Sequence, residues 1–212
     1  MKNKLLPEIQ NFVNKLELSK IPAERKELLQ NLSRYIKKKM KTGGDVRLNF
    51  ICTHNSRRSQ LSQVWAQTAA FYYGINEVKA FSGGTETTAF HPNAIRTLEA
   101  IGFSIAKKEK ESNPVYFILC SPDADPLPCF SKLYNDPINC LAPFAAVMTC
   151  SNAETNCPYI PEAEARFSVK YEDPKVADGT PQEEQTYAER NRQIATEMFY
   201  LFSLIHKENG FN

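Results

Sequence analysis

The sequence predicts an α/β protein with a central parallel sheet and helices on both faces. Three observations carry that expectation. Val46–Ile51 and Val78–Phe81 are short apolar strand patterns. The run after the first places Leu61, Val64, Trp65, Thr68, Ala69 and Tyr72 at helical spacing on one face. After the second, Pro92 opens a helix that carries Ile95 and Leu98 and stops at Gly102. Strand, helix, strand, helix is the pattern of parallel strands joined by crossover helices.

Taken in order, residues 5–16 put Leu5, Ile9, Phe12, Val13 and Leu16 on one helical face. Residues 23–40 do the same with Leu28, Leu29, Leu32, Ile36 and Met40. The second run ends in Lys37, Lys38, Lys39 and Lys41, which suit the negative end of a helix dipole, and Thr42-Gly43-Gly44 stops it. Residues 1–44 therefore read as an N-terminal helical extension, packed on the main domain at 45–212 or on a partner. Val115–Leu119 and Pro128–Leu133 flank a turn-rich stretch and predict an inserted β-hairpin, within an insertion spanning about 114–140. Phe144–Met148 is a further buried strand pattern. A loop-rich section follows to about residue 180, and the last helix, roughly 182–206, turns Tyr187, Ile194, Met198, Leu201, Phe202 and Ile205 inward.

Composition excludes several classes of function. The chain has 212 residues, 42% hydrophobic and 24% charged, with a formal net charge of +2. No basic stripe interleaved with aromatics marks a nucleic-acid surface. No apolar run is long enough to span a bilayer. Polar and acidic residues interrupt any signal-peptide core at Met1–Glu8, so a cytoplasmic protein is expected. The six cysteines, Cys52, Cys120, Cys129, Cys140, Cys150 and Cys157, lack the spacing of a zinc site and do not resemble a secreted disulfide scaffold. No metal or other cofactor is implied.

The chemistry-bearing stretch is Cys52-Thr53-His54-Asn55-Ser56-Arg57-Arg58-Ser59-Gln60, between a strand and a helix. Loop amides at a helix N-terminus point at a bound tetrahedral anion, and the dipole favours its charge. Arg58 adds a bidentate clamp that lysine could not reproduce. The same field favours a thiolate. Moving a thiol from about 8.5 to about 6 takes roughly 3.4 kcal/mol, whereas one exposed charge pair supplies at most about 1 kcal/mol, so amides, dipole and arginine must act together. Ser59 is placed to donate to the sulfur, and Asn55 to hold the loop's shape. By itself the C-x5-R pattern equally fits a buried strand-end cysteine with arginines nearby.

This loop resembles the phosphate-binding loop of the low-molecular-weight protein tyrosine phosphatase superfamily, closest to the branch with thioredoxin-coupled arsenate reductases. The resemblance continues through Ser82-Gly83-Gly84-Thr85-Glu86, His91-Pro92-Asn93-Ala94-Ile95, Val147-Met148-Thr149-Cys150, Asn156-Cys157-Pro158 and Tyr171-Glu172-Asp173-Pro174. It implies a low-molecular-weight phosphatase-like fold for 45–212. It implies that Thr53, His54, Asn55, Ser56, Arg57 and Arg58 bind an arsenate- or phosphate-type oxyanion, with Cys52 as nucleophile and Ser59 supporting it. Asp173 matches the general acid, with Glu172 and Asp178 as nearby competitors. Cys150 and Cys157 stand at the positions of the redox relay, for which thioredoxin is the implied reductant. If residues 150–157 are helical when reduced, they span about 10.5 Å, beyond the roughly 4.4–6.8 Å between disulfide Cα atoms, so the segment must unravel to bridge.

Three departures stand out. Arg57 occupies the place of a second loop cysteine in many relatives and is expected to strengthen anion attraction. Gln63 replaces an acidic residue associated with a potassium site, which puts that cation in doubt. Lys175 follows Asp173-Pro174 where tyrosine phosphatases present an aromatic residue. Cys120, Cys129 and Cys140 read as structural. Three functions stay open at this point: an arsenate reductase using Cys52, Cys150 and Cys157, a phosphomonoester hydrolase using Cys52, Arg58 and Asp173, and a non-catalytic oxyanion-binding module.

Overall fold

The computed structural model describes residues 2–108, 112–139, 143–156 and 159–208. Helix α1 (Pro7–Asn14) begins on a proline, whose missing N–H costs nothing in a first turn, and buries Ile9 and Val13. Helix α2 (Ala23–Lys41) buries Leu29, Leu32 and Ile36, while Leu28, expected on the inner face, stays 37% exposed. Strand β1 (Val46–Cys52) is buried along nearly its whole length, as a strand covered on both faces must be. It leads into α3 (Arg58–Tyr72), β2 (Val78–Gly84) and α4 (Pro92–Ile101), which ends on a left-handed Gly102.

Where a hairpin is expected, the structure has a three-stranded sheet. Strands β3 (Ser104–Lys108), β4 (Val115–Leu119) and β5 (Leu127–Cys129) form an antiparallel sheet of their own in the order β3-β4-β5. β4 and β5 are the anticipated pair, with β5 much shorter than expected because the chain leaves the ladder after Cys129 to reach the loop at Cys52. β3 pairs with β4 from Ser104↔Leu119 to Lys108↔Val115, yet its side chains are mostly exposed, which removes the apolar signal of a strand.

The chain then returns to the main sheet through β6 (Phe144–Met148), α5 (Ser151–Asn156) and β7 (Ala163–Ser168), and closes with α6 (Glu183–Glu208). β7 lies inside the stretch expected to be loop. It is an edge strand whose Glu164 and Arg166 interrupt the apolar pattern. The main sheet, among the described residues, has four parallel strands in the order β2-β1-β6-β7. From β1 the chain crosses to β2 on one side; from β6 it crosses to β7 on the other. The order therefore reverses at the β1/β6 seam, and ligands of such sheets bind beyond the carboxyl ends of the strands at that seam. Cys52 ends β1 there, and Cys150 lies just past the end of β6.

A main core joins the helices to the sheet. Leu29, Leu32 and Ile36 of α2 share a buried cluster with Leu48 and Phe50 of β1 and with Ile194, Met198 and Phe202 of α6. Trp65, fully buried, stacks on Phe12 at 5.5 Å, meets Phe103 edge-on at 5.1 Å, and donates its indole N–H to Asn191 at 2.6 Å. Arg25 fastens α2 to α6 through both oxygens of the buried Glu197, at 3.0 and 2.5 Å. Among the described residues no helix is long and apolar enough to cross a membrane.

Candidate active site

The loop from Cys52 to Arg58 is held from outside by its carbonyls. The Thr53 carbonyl accepts from the Glu86 N–H at 2.8 Å, and the His54 carbonyl from the Ser131 hydroxyl at 2.7 Å. The Asn55 carbonyl accepts from Gln60 Nε2 at 3.0 Å, and the Ser56 carbonyl from the His91 N–H at 3.0 Å. In a trans peptide the N–H of the next residue points away from the carbonyl. Four consecutive outward carbonyls thus turn the N–H groups of residues 54–57 inward, a concave set of donors for an anion.

Asn55 makes this path possible. It has a positive φ of 46°, a left-handed conformation that asparagine tolerates better than most residues. Its side-chain oxygen accepts from the Lys132 N–H at 3.0 Å and from Gln60 Nε2 at 3.1 Å, and its amide donates to Ser59 Oγ at 2.8 Å. With that lone pair occupied, the Ser59 hydroxyl hydrogen is left for Cys52 Sγ, 3.0 Å away. Both Cys52 and Ser59 are buried. The floor is Gly84, where a Cβ would stand 2.4 Å from the Glu86 carbonyl oxygen and 2.7 Å from that of Thr53.

The two arginines do different things. Arg58, the first residue of α3, donates from Nη1 to the Tyr171 carbonyl at 3.1 Å and from Nη2 to Asp173 at 2.5 Å. Its Nε is buried without a protein partner, a donor that an oxyanion in the loop would satisfy. Arg57 turns the other way. Its Nε donates to the Tyr187 hydroxyl at 2.6 Å and its Nη2 pairs with Asp178 at 2.9 Å, with 11% of the side chain exposed. His54 faces Glu86 at 3.4 Å.

Asp173 caps a 3-10 turn at Pro174–Ala177, accepting from the Lys175 N–H at 3.1 Å while its other oxygen meets Arg58. Asp178 closes the same turn, engaged with Arg57 and Tyr187; Glu172 is exposed. Cys150 is buried with Cys52, Met148, Ala153 and Ile160 in one apolar cluster. Its sulfur lies 3.5 Å from the Thr53 hydroxyl and accepts from the Ala153 N–H at 3.3 Å. The segment expected to be helical between the two relay cysteines is α5 over Ser151–Asn156. Cys157 lies outside the described residues, as does Cys140. Gln63 is buried and accepts from Ser82 Oγ at 2.5 Å. Cys120 and Cys129 are buried, and burial pushes their thiols up to about 11 and about 12.

Sequence reasoning did not anticipate the bracing from residues 130–132. Phe130, Ser131 and Lys132 reach the loop as a strap: the Phe130 carbonyl holds Gln60, Ser131 holds His54, and the Lys132 N–H holds Asn55. Most of those contacts use backbone atoms, which leave no mark in residue identity. Tyr187 was visible only as one more apolar position on a helix.

Comparison with known proteins gives the family and the fold. Residues 47–119 match the model of the low molecular weight phosphotyrosine protein phosphatase family. The arsenate reductase of Bacillus subtilis is 31% identical over 143 residues, covering 68% of this chain and 84% of that protein. The chain belongs to this family. A second arsenate reductase, from Bacillus licheniformis, is 26% identical over 154 residues, covering 73% of this chain and 92% of that protein. The fold matches a low molecular weight protein tyrosine phosphatase from T. tengcongensis, with a TM-score of 0.52 at 17% identity, over 75% of this chain and 99% of that one. It also matches the solution structure of one from Bacillus subtilis, with a TM-score of 0.51 at 14% identity, over 76% and 98%. The family is one of enzymes.

Proposed function

We propose that this enzyme reduces arsenate to arsenite, using Cys52, Cys150 and Cys157, with thioredoxin as the reductant. Cys52 Sγ attacks arsenic held by the loop amides and Arg58; an arsenic–oxygen bond breaks and Asp173 protonates the leaving oxygen. Cys150 then attacks the Cys52 sulfur. The S–S bond forms as the sulfur–arsenic bond breaks, and arsenite leaves with the electron pair. Cys157 attacks Cys150, freeing Cys52, and a dithiol of the thioredoxin class reduces the new disulfide.

The observation that carries this reading is the placement of Cys150 at the β1/β6 seam, buried in one cluster with Cys52 and touching Thr53 of its loop. The arsenate reductases among the relatives support it. Arsenate should drive NADPH consumption through thioredoxin and its reductase. Cys150→Ser and Cys157→Ser should each abolish that turnover while any aryl phosphate hydrolysis survives. The competing reading is phosphomonoester hydrolysis with water in place of Cys150. It is favoured by a complete oxyanion half-site of Cys52, Arg58 and Asp173. Lys175 after Asp173-Pro174, and a neighbouring Val176 that is 82% exposed, offer phosphotyrosine no aromatic wall. Aryl phosphate turnover with none on arsenate would establish the hydrolase instead.

A further inference from the structure

Two consecutive arginines hold the two ends of the acid-bearing segment. Arg58 pairs with Asp173 at the front of the 3-10 turn, and Arg57 pairs with Asp178 at its back. The rear grip is the more elaborate. Arg57 Nε donates to Tyr187 Oη at 2.6 Å, and the Tyr187 hydroxyl donates to Asp178 Oδ1 at 2.7 Å. Asp178 Oδ2 takes Arg57 Nη2 at 2.9 Å, closing a ring of three side chains. Tyr187 is fully buried on α6 and stacks on His91 at 5.6 Å; His91 Nε2 stands 3.8 Å from Asp178.

The front grip cannot persist through a catalytic cycle. An oxyanion clamped at two points takes the free Nε together with an Nη nitrogen of Arg58, and the guanidinium then gives up part of its contact with Asp173. Something else must hold Asp173 in place at that moment. Arg57 has no comparable competitor, because its guanidinium points away from the loop interior and its charge is balanced by Asp178.

The geometry points to Arg57 as a positioning residue for the acid: with Asp178 and Tyr187 it anchors the rear of the 173–178 segment, so that Arg58 can leave Asp173 for the oxyanion. This rests on Asp173 being the general acid. In the step concerned a bond forms from Cys52 Sγ to phosphorus or arsenic, the bond to the leaving oxygen breaks, and the Asp173 proton ends on that oxygen. A lysine at 57 keeps the charge but not the fork that reaches two partners.

A double-mutant cycle with Asp173 separates positioning from plain stabilisation. Arg57→Lys, Asp178→Asn and Tyr187→Phe are made in the full chain and in the Asp173→Asn background, then assayed on arsenate and on phenyl phosphate. Thermal melts identify any variant that does not fold; Tyr187→Phe, which removes only one hydroxyl, keeps the test open if the charged-group variants fail. In the Asp173-containing chain, Arg57→Lys and Asp178→Asn should lower kcat by about 10- to 100-fold, and Tyr187→Phe by less, within the range of a general acid's contribution. KM should stay within about 2-fold, and in the Asp173→Asn background each should cost about nothing further. Losses that multiply with Asp173→Asn, or an unchanged kcat, overturn the anchor. If Asp173→Asn itself has no effect on kcat, or neither substrate turns over, the acid assignment or the catalytic reading fails first, an outcome distinct from failure of the anchor alone.

Discussion

A methyl group on Gly84 would sit 2.4 Å from the Glu86 carbonyl oxygen, 2.7 Å from that of Thr53 and 2.8 Å from the Asn55 nitrogen. All three neighbours are backbone, so the loop itself would have to move. Gly84→Ala should therefore destabilise the protein by about 1–3 kcal/mol and weaken oxyanion binding, read by thermal melts with and without phosphate. Lys132 is the second such residue. Burial holds its ammonium down to about 8 from the usual 10.5, with 3% of the residue exposed. A depressed cation is a stability loss that grows as pH falls from about 10.5 through about 8 and is complete below it, on the order of 3 kcal/mol. Stability should rise between pH 8 and 10.5, and Lys132→Met should flatten that slope in pH-dependent denaturant melts. Neither position could be valued from the sequence. The loop residues from Cys52 to Ser59 are contiguous and carry their chemistry in their side chains, so they were legible. The roles of Gly84, Ser131 and Lys132 depend on where a distant backbone passes. Arg57 was legible as a charge but not as to its partner, since Asp178 and Tyr187 lie 121 and 130 residues away.

Helix α5 is the element on which the redox reading bears. It has six residues, too few to be stable alone, and its surface ties are a Lys170–Glu154 pair at 3.0 Å and an Arg166 bond to the Glu154 carbonyl at 2.7 Å. Such an element opens at low cost. Oxidation of Cys150 with Cys157 should strip amide-exchange protection from residues 151–156, while β1 and β6 keep theirs; equal protection of 151–156 in both states would sink the idea. The long, one-sided patterns of α2, α3 and α6, the alternating apolar pattern of β1 and the unbroken apolar run of β6 announced themselves. β3 and β7 did not, because an edge strand with polar residues on one face lacks the apolar run of a central one. The short β5 was overrun by the chain's exit toward the loop.

The molecule as a whole is organised on the β1/β6 seam, with the anion loop on one side of it and Cys150 on the other. The N-terminal helices belong to the body that supports this seam. Leu5, Ile9, Val13, Leu29, Leu32 and Ile36 lie in the main core, and their burial is worth on the order of 10 kcal/mol, comparable to the whole stability of a typical domain. Removing residues 1–44 should leave a chain without a cooperative thermal transition, seen by circular dichroism. The alternation of strands and helices made the parallel sheet legible, whereas the packing partner of residues 1–44 was not, since an apolar helical face does not name what it meets. In the proposed reaction, electrons reach arsenate from Cys52 and Cys150 across the seam. The most direct measurement is a single turnover of the fully reduced enzyme with arsenate and no thioredoxin, followed by thiol blocking and disulfide mapping by mass spectrometry. One arsenite per enzyme is expected, with a Cys150–Cys157 disulfide in the unaltered chain and a Cys52–Cys150 disulfide in Cys157→Ser. Recovery of all three cysteines as free thiols, with no arsenite formed, would contradict the proposed reaction.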